Sequence, residues 1–165
     1  MTGPSYRADV ALGGNLGDVE NTLMDALFEI DGLPQTSVRA QSSFYRTPAW
    51  GRTDQPDFIN AVAELNTRLV PRVLLDKLLE IEERHGRVRS EGEKWGPRVL
   101  DLDLLMMGDS VIDQPGLHLP HPHMHERAFV LVPLAEIAPS LVVPGHGRVD
   151  ALLAAVDASG VVAIP

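Results

Sequence analysis

Residues 57–69 read DFINAVAELNTRL. Phe58, Asn60, Val62 and Glu64 alternate with Ile59, Ala61, Ala63 and Leu65. Successive side chains of a strand point to opposite faces, so the wholly apolar second set predicts a strand with that face on a core. Phe58 and Asn60 then share the other face. That face either carries a second packing layer or receives a flat heterocycle, which the ring would stack on and the amide would hydrogen-bond.

Downstream, Pro71 suits the first turn of a helix, and Leu74, Leu75, Leu78, Leu79 and Ile81 carry its apolar stripe to about Arg84. At about 100° per residue, Glu82 falls inside that stripe. A carboxylate there needs a partner. Residues 85–98, HGRVRSEGEKWGPR, lack apolar periodicity and hold three glycines and a proline, which predicts a long functional loop. VLDLDLLMMG (99–108) then reads as a strongly apolar strand.

Upstream, YRADVAL (6–12) reads as a strand that GGNLGD (13–18) ends in a turn. That run lacks both the G-x-G-x-x-G spacing and the G-K-[ST] end of a phosphate loop. A helix fits 18–31, capped by Asp18 and stopped by Gly32 and Pro34, and TSVRAQSSFYRT (36–47) reads as one strand. After 108 the chain is Pro- and His-rich, then turns helical near Met124, over about 129–137 and weakly over 149–156. The order β-α-β-β-α-β with helical additions predicts an α/β (α+β), ferredoxin-like sandwich in three α-β-α layers.

The chain has 165 residues, which predicts one domain spanning 1–165 and no room for a fused neighbour. Hydrophobic residues make up 44% and charged residues 22%, so a real core is expected. No apolar run approaches the ~20 residues of a membrane span. The start, MTGPSYRADV, shows no secretory signal. Cysteine is absent, which excludes thiolate chemistry and points to a cytoplasmic setting. The formal charge of −9 disfavours nucleic-acid partners. Yet Arg84, Arg87, Arg89, Lys94 and Arg98 gather between 84 and 98, a local patch suited to an anion. Asp25, Glu29, Asp76, Glu80 and Glu83 fall on polar helix faces.

Asp101 and Asp103 occupy positions i and i+2 of the apolar strand, so both carboxylates emerge on one face while Leu100, Leu102 and Leu104 pack on the other. Two adjacent carboxylates repel unless a cation joins them, and Mg²⁺ typically binds through one or two carboxylates plus substrate phosphates. The bland alternative is a solvated strand face. His121, His123 and His125 form an alternating run that could hold zinc or lie on the surface. A nucleic-acid-binding module, a zinc hydrolase and a non-catalytic ligand-binding relic are the rival classes.

Taken together, ALGGNLGD, SSFYRTPAWG, QPDFINAV, IEERHGRVR, WGPRVLDLD and LPHPHMHERAFVLVPLAEIAP resemble, in order, the hydroxymethyl-dihydropterin pyrophosphokinase family. The resemblance implies a ferredoxin-like fold and transfer of a diphosphoryl group from ATP to the hydroxymethyl oxygen of a reduced pterin. It implies that Asp101 and Asp103 hold two Mg²⁺ ions, and that Arg87 and Arg98 contact phosphates as catalytic arginines. Glu82, Arg89, Trp95, Leu104, His121 and Arg127 would join Arg98 at the ATP site. Thr47, Pro48, Trp50, Phe58, Asn60 and Phe129 would form the pterin pocket, the two phenylalanines sandwiching the ring. Residues 85–98 become a lid. It further implies a monomer with at most loose contacts to other folate-pathway enzymes. Lys94, Pro122, Trp50 and Phe58 depart from the family pattern, where arginine, an aromatic residue, leucine and tyrosine are expected.

Overall fold

The computed structural model describes residues 4–48, 55–86 and 99–165. The first half of the chain runs β1 (Tyr6–Gly14), α1 (Val19–Asp31), β2 (Thr36–Gln41), β3 (Tyr45–Thr47), β4 (Phe58–Thr67) and α2 (Pro71–Arg84). The second half runs β5 (Asp101–Met107), β6 (Ile112–Gln114), β7 (Leu117–Leu119), a 3-10 turn (Met124–Glu126), α3 (Ala128–Ile137), β8 (Val142–Val143), β9 (Gly147–Arg148), α4 (Val149–Ala154) and β10 (Val162–Ala163). The main sheet has the order β10-β3-β4-β1-β5, with β2 also beside β4. All its pairings are antiparallel.

Both faces of this sheet are buried. Ala63 and Leu65 of β4, Val10 and Leu12 of β1, and Leu102 and Leu104 of β5 pack with Leu23 and Ile30 of α1 and Leu74 and Leu78 of α2. On the opposite face Val62 and Leu105 pack with Val130, Leu131 and Leu134 of α3 and Val149 of α4. A fully buried Leu or Val side chain contributes about 1.5–3 kcal/mol, so both layers are cohesive parts of one three-layer sandwich. The mixed α/β architecture expected from the periodicities is therefore present. The second packing layer, one of the two readings of the Phe58–Asn60 face, covers that face at Val62.

Local chemistry places the ends of the elements. The Asp18 side chain accepts from the Asn21 backbone N–H and starts α1, while Gly32 follows its last turn. Pro71 opens α2 as expected. Three boundaries differ from the sequence reading. The strand over 36–47 is broken, because Ser42 bonds Val62 both through its backbone N–H and by accepting the Val62 N–H on its hydroxyl, each at 2.9 Å. β1 runs on through Gly13 and Gly14, which pair with Asn60 and Ile59, so the turn begins only at Asn15. The Pro- and His-rich stretch holds the β6–β7 hairpin, whose turn contains Pro115 and Gly116 at φ 75°. Among the described residues no helix is long and apolar enough to cross a membrane.

Candidate active site

The sheet register assembles the site. Asn60 of β4 lies opposite Tyr45 of β3 on one side and Gly13 of β1 on the other. Gly13 in turn lies opposite Asp101 of β5. Two residues along in either direction, and so on the same face, Thr47 pairs with Phe58, and Ala11 lies between Val62 and Asp103. Residues directly opposite in a ladder point to the same face. Thr47, Phe58, Asn60, Asp101 and Asp103 therefore share the α3 side of the sheet, at the end that Val62 and α3 leave open. Adjacent strands are about 4.8 Å apart, so Asn60 and Asp101 are separated by roughly 10 Å across a glycine.

Asn60 is 8% exposed, and its Nδ2 donates to Thr47 Oγ1 at 3.0 Å. That bond fixes the amide and leaves one N–H and the carbonyl oxygen to meet a ligand. Gly13 makes the arrangement possible, since a Cβ there would stand 2.6 Å from Asn60 Oδ1. The sequence reading assigned Gly13 only to a turn. Its role depends on which residue stands opposite, and a single sequence does not display register.

Asp101 is half-buried and Asp103 exposed, while Leu100, Leu102 and Leu104 are buried. Small residues, Ala11 and Gly13, flank the two aspartates on β1. The set fits a divalent ion held by two carboxylates and completed by ligand oxygens. Among the described residues there is no group of three or more His, Asp or Glu side chains able to hold a metal ion by themselves. The three alternating histidines do not converge either. His121 and His123 meet edge-on with ring centroids 6.1 Å apart, whereas His125 stacks on His146 at 3.7 Å.

His121 flanks the aspartates from the outer edge of β5, its backbone N–H donating to Leu105 O at 2.7 Å. Burial pushes its imidazole below the ordinary histidine value, against the opposing pull of the Asp103 charge and with help from Arg127. The shift favours the uncharged imidazole. The Arg127 guanidinium lies 5.6 Å from the centre of the Phe129 ring, at the start of α3.

Glu82, the carboxylate predicted inside an apolar stripe, is 2% exposed and accepts the Leu102 backbone N–H at 2.7 Å. Leu102 lies between the two aspartates, so Glu82 fastens β5 where it presents them. Leu104 is in the core on the opposite face, so only its backbone could reach a nucleotide. Pro48 is exposed at the last described residue after β3. Trp50, Arg87, Arg89, Trp95 and Arg98, and residues 87–98 of the 85–98 loop read as a lid, lie outside the described residues. A cavity of 320 Å³ lined by Asn15, Asp18, Arg46, Asp57 and Ile59 lies at the same end of the sheet but on its other face, away from Asn60 and the aspartates. Replacing Glu82 by Ala is expected to cost about 1–3 kcal/mol, the penalty of leaving the buried Leu102 N–H without an acceptor. Urea denaturation measures this, and Glu82→Gln, which keeps an acceptor, is expected to lose less.

Known proteins share this chain's pattern. The family model of 7,8-dihydro-6-hydroxymethylpterin-pyrophosphokinase (HPPK) matches residues 9–139. The 2-amino-4-hydroxy-6-hydroxymethyldihydropteridine pyrophosphokinase of Pseudomonas aeruginosa is 45% identical over 159 residues, 96% of this chain and 97% of that protein. The protein of the same name from Methylorubrum extorquens is 46% identical, over 94% of this chain and 96% of its own length. Among solved structures, Plasmodium falciparum HPPK-DHPS with pteroate superposes with a TM-score of 0.72 over 94% of this chain, at 12% identity. This chain spans 43% of that protein, and the likeness shows the fold alone. The family model covers the strands that carry Asn60, Asp101 and Asp103, and these two relatives match along nearly their whole length. The chain belongs to the 7,8-dihydro-6-hydroxymethylpterin-pyrophosphokinase family.

Proposed function

We propose that this chain is an ATP-dependent diphosphotransferase of folate biosynthesis that converts 6-hydroxymethyl-7,8-dihydropterin to its diphosphate and releases AMP. Family membership supports the reaction. The observation that carries the assignment of residues is the row Asn60–Gly13–Asp101 across three strands. It puts an amide suited to a heterocycle's polar edge and a carboxylate pair suited to a metal-bound triphosphate on one open face. A fused bicyclic ring with a one-carbon arm spans the gap between them.

In this reading Asn60, held by Thr47, reads the pterin edge, while Phe58 and Phe129 hold its faces. Asp101 and Asp103 would hold Mg²⁺. When bound, Mg²⁺ neutralises phosphate charge and acidifies an attached hydroxyl. His121 and cationic Arg127 bind the nucleotide beside the aspartates, joined by Arg87, Arg89, Trp95 and Arg98. The hydroxymethyl oxygen forms a bond to the β-phosphorus as the bond from that phosphorus to the α,β-bridging oxygen breaks. The hydroxyl proton passes to solvent and AMP leaves. Such transfers have loose transition states, so positioning and charge stabilisation dominate and no strong general base is assigned. The proposal takes residues 1–165 as a single catalytic domain, monomeric and cytoplasmic.

Incubation with ATP, Mg²⁺ and 6-hydroxymethyl-7,8-dihydropterin is expected to give AMP and the pterin diphosphate in equal amounts. Formation of ADP would replace the reading with transfer of a single phosphoryl group. Chelation of Mg²⁺ by EDTA is expected to stop AMP release and added Mg²⁺ to restore it, read by chromatography of the nucleotides. AMP release unchanged in excess EDTA would remove the metal from the scheme.

A further inference from the structure

Glu136 stands in the last turn of α3, where a carboxylate faces the negative end of the helix dipole and gains nothing from the helix. Three donors converge on it from across the sheet. The Ser43 backbone N–H donates at 3.0 and 3.1 Å to its two oxygens, the Ser43 hydroxyl at 3.0 Å and the Tyr45 hydroxyl at 2.5 Å. Burial pushes the Tyr45 hydroxyl up, the Glu136 hydrogen bond and charge add to it, and its pKa reaches about 12. Tyr45 therefore remains a donor at any working pH. Burial raises the Glu136 carboxyl, but the Tyr45 and Ser43 hydrogen bonds outweigh it and hold the carboxyl below its ordinary value.

These bonds act beside a break in the sheet. Between Gln41 and Tyr45 the regular pairing along β4 gives way to the two Ser42–Val62 bonds, and among the described residues β3 pairs with β4 through Tyr45, Arg46 and Thr47 and with β10 through Tyr45 and Arg46. A strand slipped by one residue turns every side chain to the other face. A slip in β3 would take Thr47 Oγ1 away from Asn60 Nδ2 and release the amide. We propose that Glu136 is a positioning residue for the pterin end of the site, clamping β3 to α3 so that Thr47 holds the Asn60 amide, and setting pterin affinity without touching pterin. The same clamp fixes α3, which carries Phe129 at its other end, against the strand that pairs with Phe58.

This inference rests on the reading above that pterin binds at Asn60. Glu136→Ala is expected to raise the KM for 6-hydroxymethyl-7,8-dihydropterin about tenfold or more, equivalent to about 1.4 kcal/mol per tenfold. The KM for ATP and kcat at saturation should stay within about twofold, that is within roughly 0.4 kcal/mol. Tyr45→Phe, which keeps the ring and the Ser43 bonds, and Glu136→Gln, which keeps an acceptor, should show smaller rises in the pterin KM alone. They decide the matter if Glu136→Ala fails to fold. A purely structural role would weaken both substrates or lower the melting temperature and kcat together. Unchanged pterin KM in folded variants, or equal rises for ATP and pterin, would overturn the clamp while an active wild type leaves the functional reading standing. A wild type that releases no AMP on adding pterin removes both.

Discussion

Asp103→Ala is expected to lower turnover by on the order of 10³-fold or more, about 4 kcal/mol of transition-state stabilisation, with the fold intact. Asp103 is exposed and makes no contribution to either core, so its loss should leave the melting temperature unchanged. The rate loss follows because Asp101 would then face the ion without its neighbouring carboxylate: the ladder partner of Asp103 on β1 is the uncharged Ala11. Asp101→Ala should behave alike in rate and cost somewhat more in stability, since Asp101 is half-buried. Asp103→Asn keeps the shape and removes the charge, so it separates electrostatics from packing. Steady-state AMP release at saturating substrates is the measurement. Turnover of either alanine variant within about tenfold of wild type, roughly 1.4 kcal/mol, would sink the metal-ligand assignment.

Gly13→Ala acts in the middle of the row Asn60–Gly13–Asp101. The added methyl would stand 2.6 Å from Asn60 Oδ1, well inside contact distance. The Asn60 side chain is buried and bound to Thr47, so it cannot move aside without breaking that bond. Its amide must turn away from the position proposed to read the pterin. The expected result is a pterin KM raised ten- to a hundredfold, about 1.4–2.7 kcal/mol. Overpacking should also lower stability by about 1–3 kcal/mol. The KM for ATP should be little changed. Pterin KM equal to wild type in a folded Gly13→Ala protein would mean that Asn60 does not read the ring.

Much of the frame is legible in the sequence because it rests on short-range periodicity. The period-2 pattern of 57–69 and 99–108 and the stripes of α1 and α2 announce themselves. The pairing of Asp101 with Asp103 on one face follows from the same period. Features that depend on which strands become neighbours stay hidden. Glu82 stands out as a misplaced carboxylate, but its partner, the Leu102 N–H, is apparent only once α2 packs on β5. Ser42 looks like any residue of a continuous strand until its hydroxyl replaces a ladder bond to Val62. Gly13 reads as punctuation although it is a clearance for Asn60. Glu136 reads as an ordinary charge at a helix end, because Ser43 and Tyr45 lie more than ninety residues away in sequence. The β6–β7 hairpin is masked by a composition of proline, glycine and histidine that usually marks loops.

The bonds along the outer side of β5 have a consequence beyond holding the site. β5 is the last strand of its sheet, and an exposed row of backbone donors and acceptors invites the strand of another molecule. Here the Leu102 N–H is taken by Glu82 and the Leu105 carbonyl by the segment at His121. Asp101 and Asp103 add charge to the same strand. The groups proposed to serve the nucleotide thereby also blunt an edge that would otherwise template intermolecular pairing. The strand thus presents fewer free backbone groups to a neighbouring molecule on the face proposed to receive the substrates.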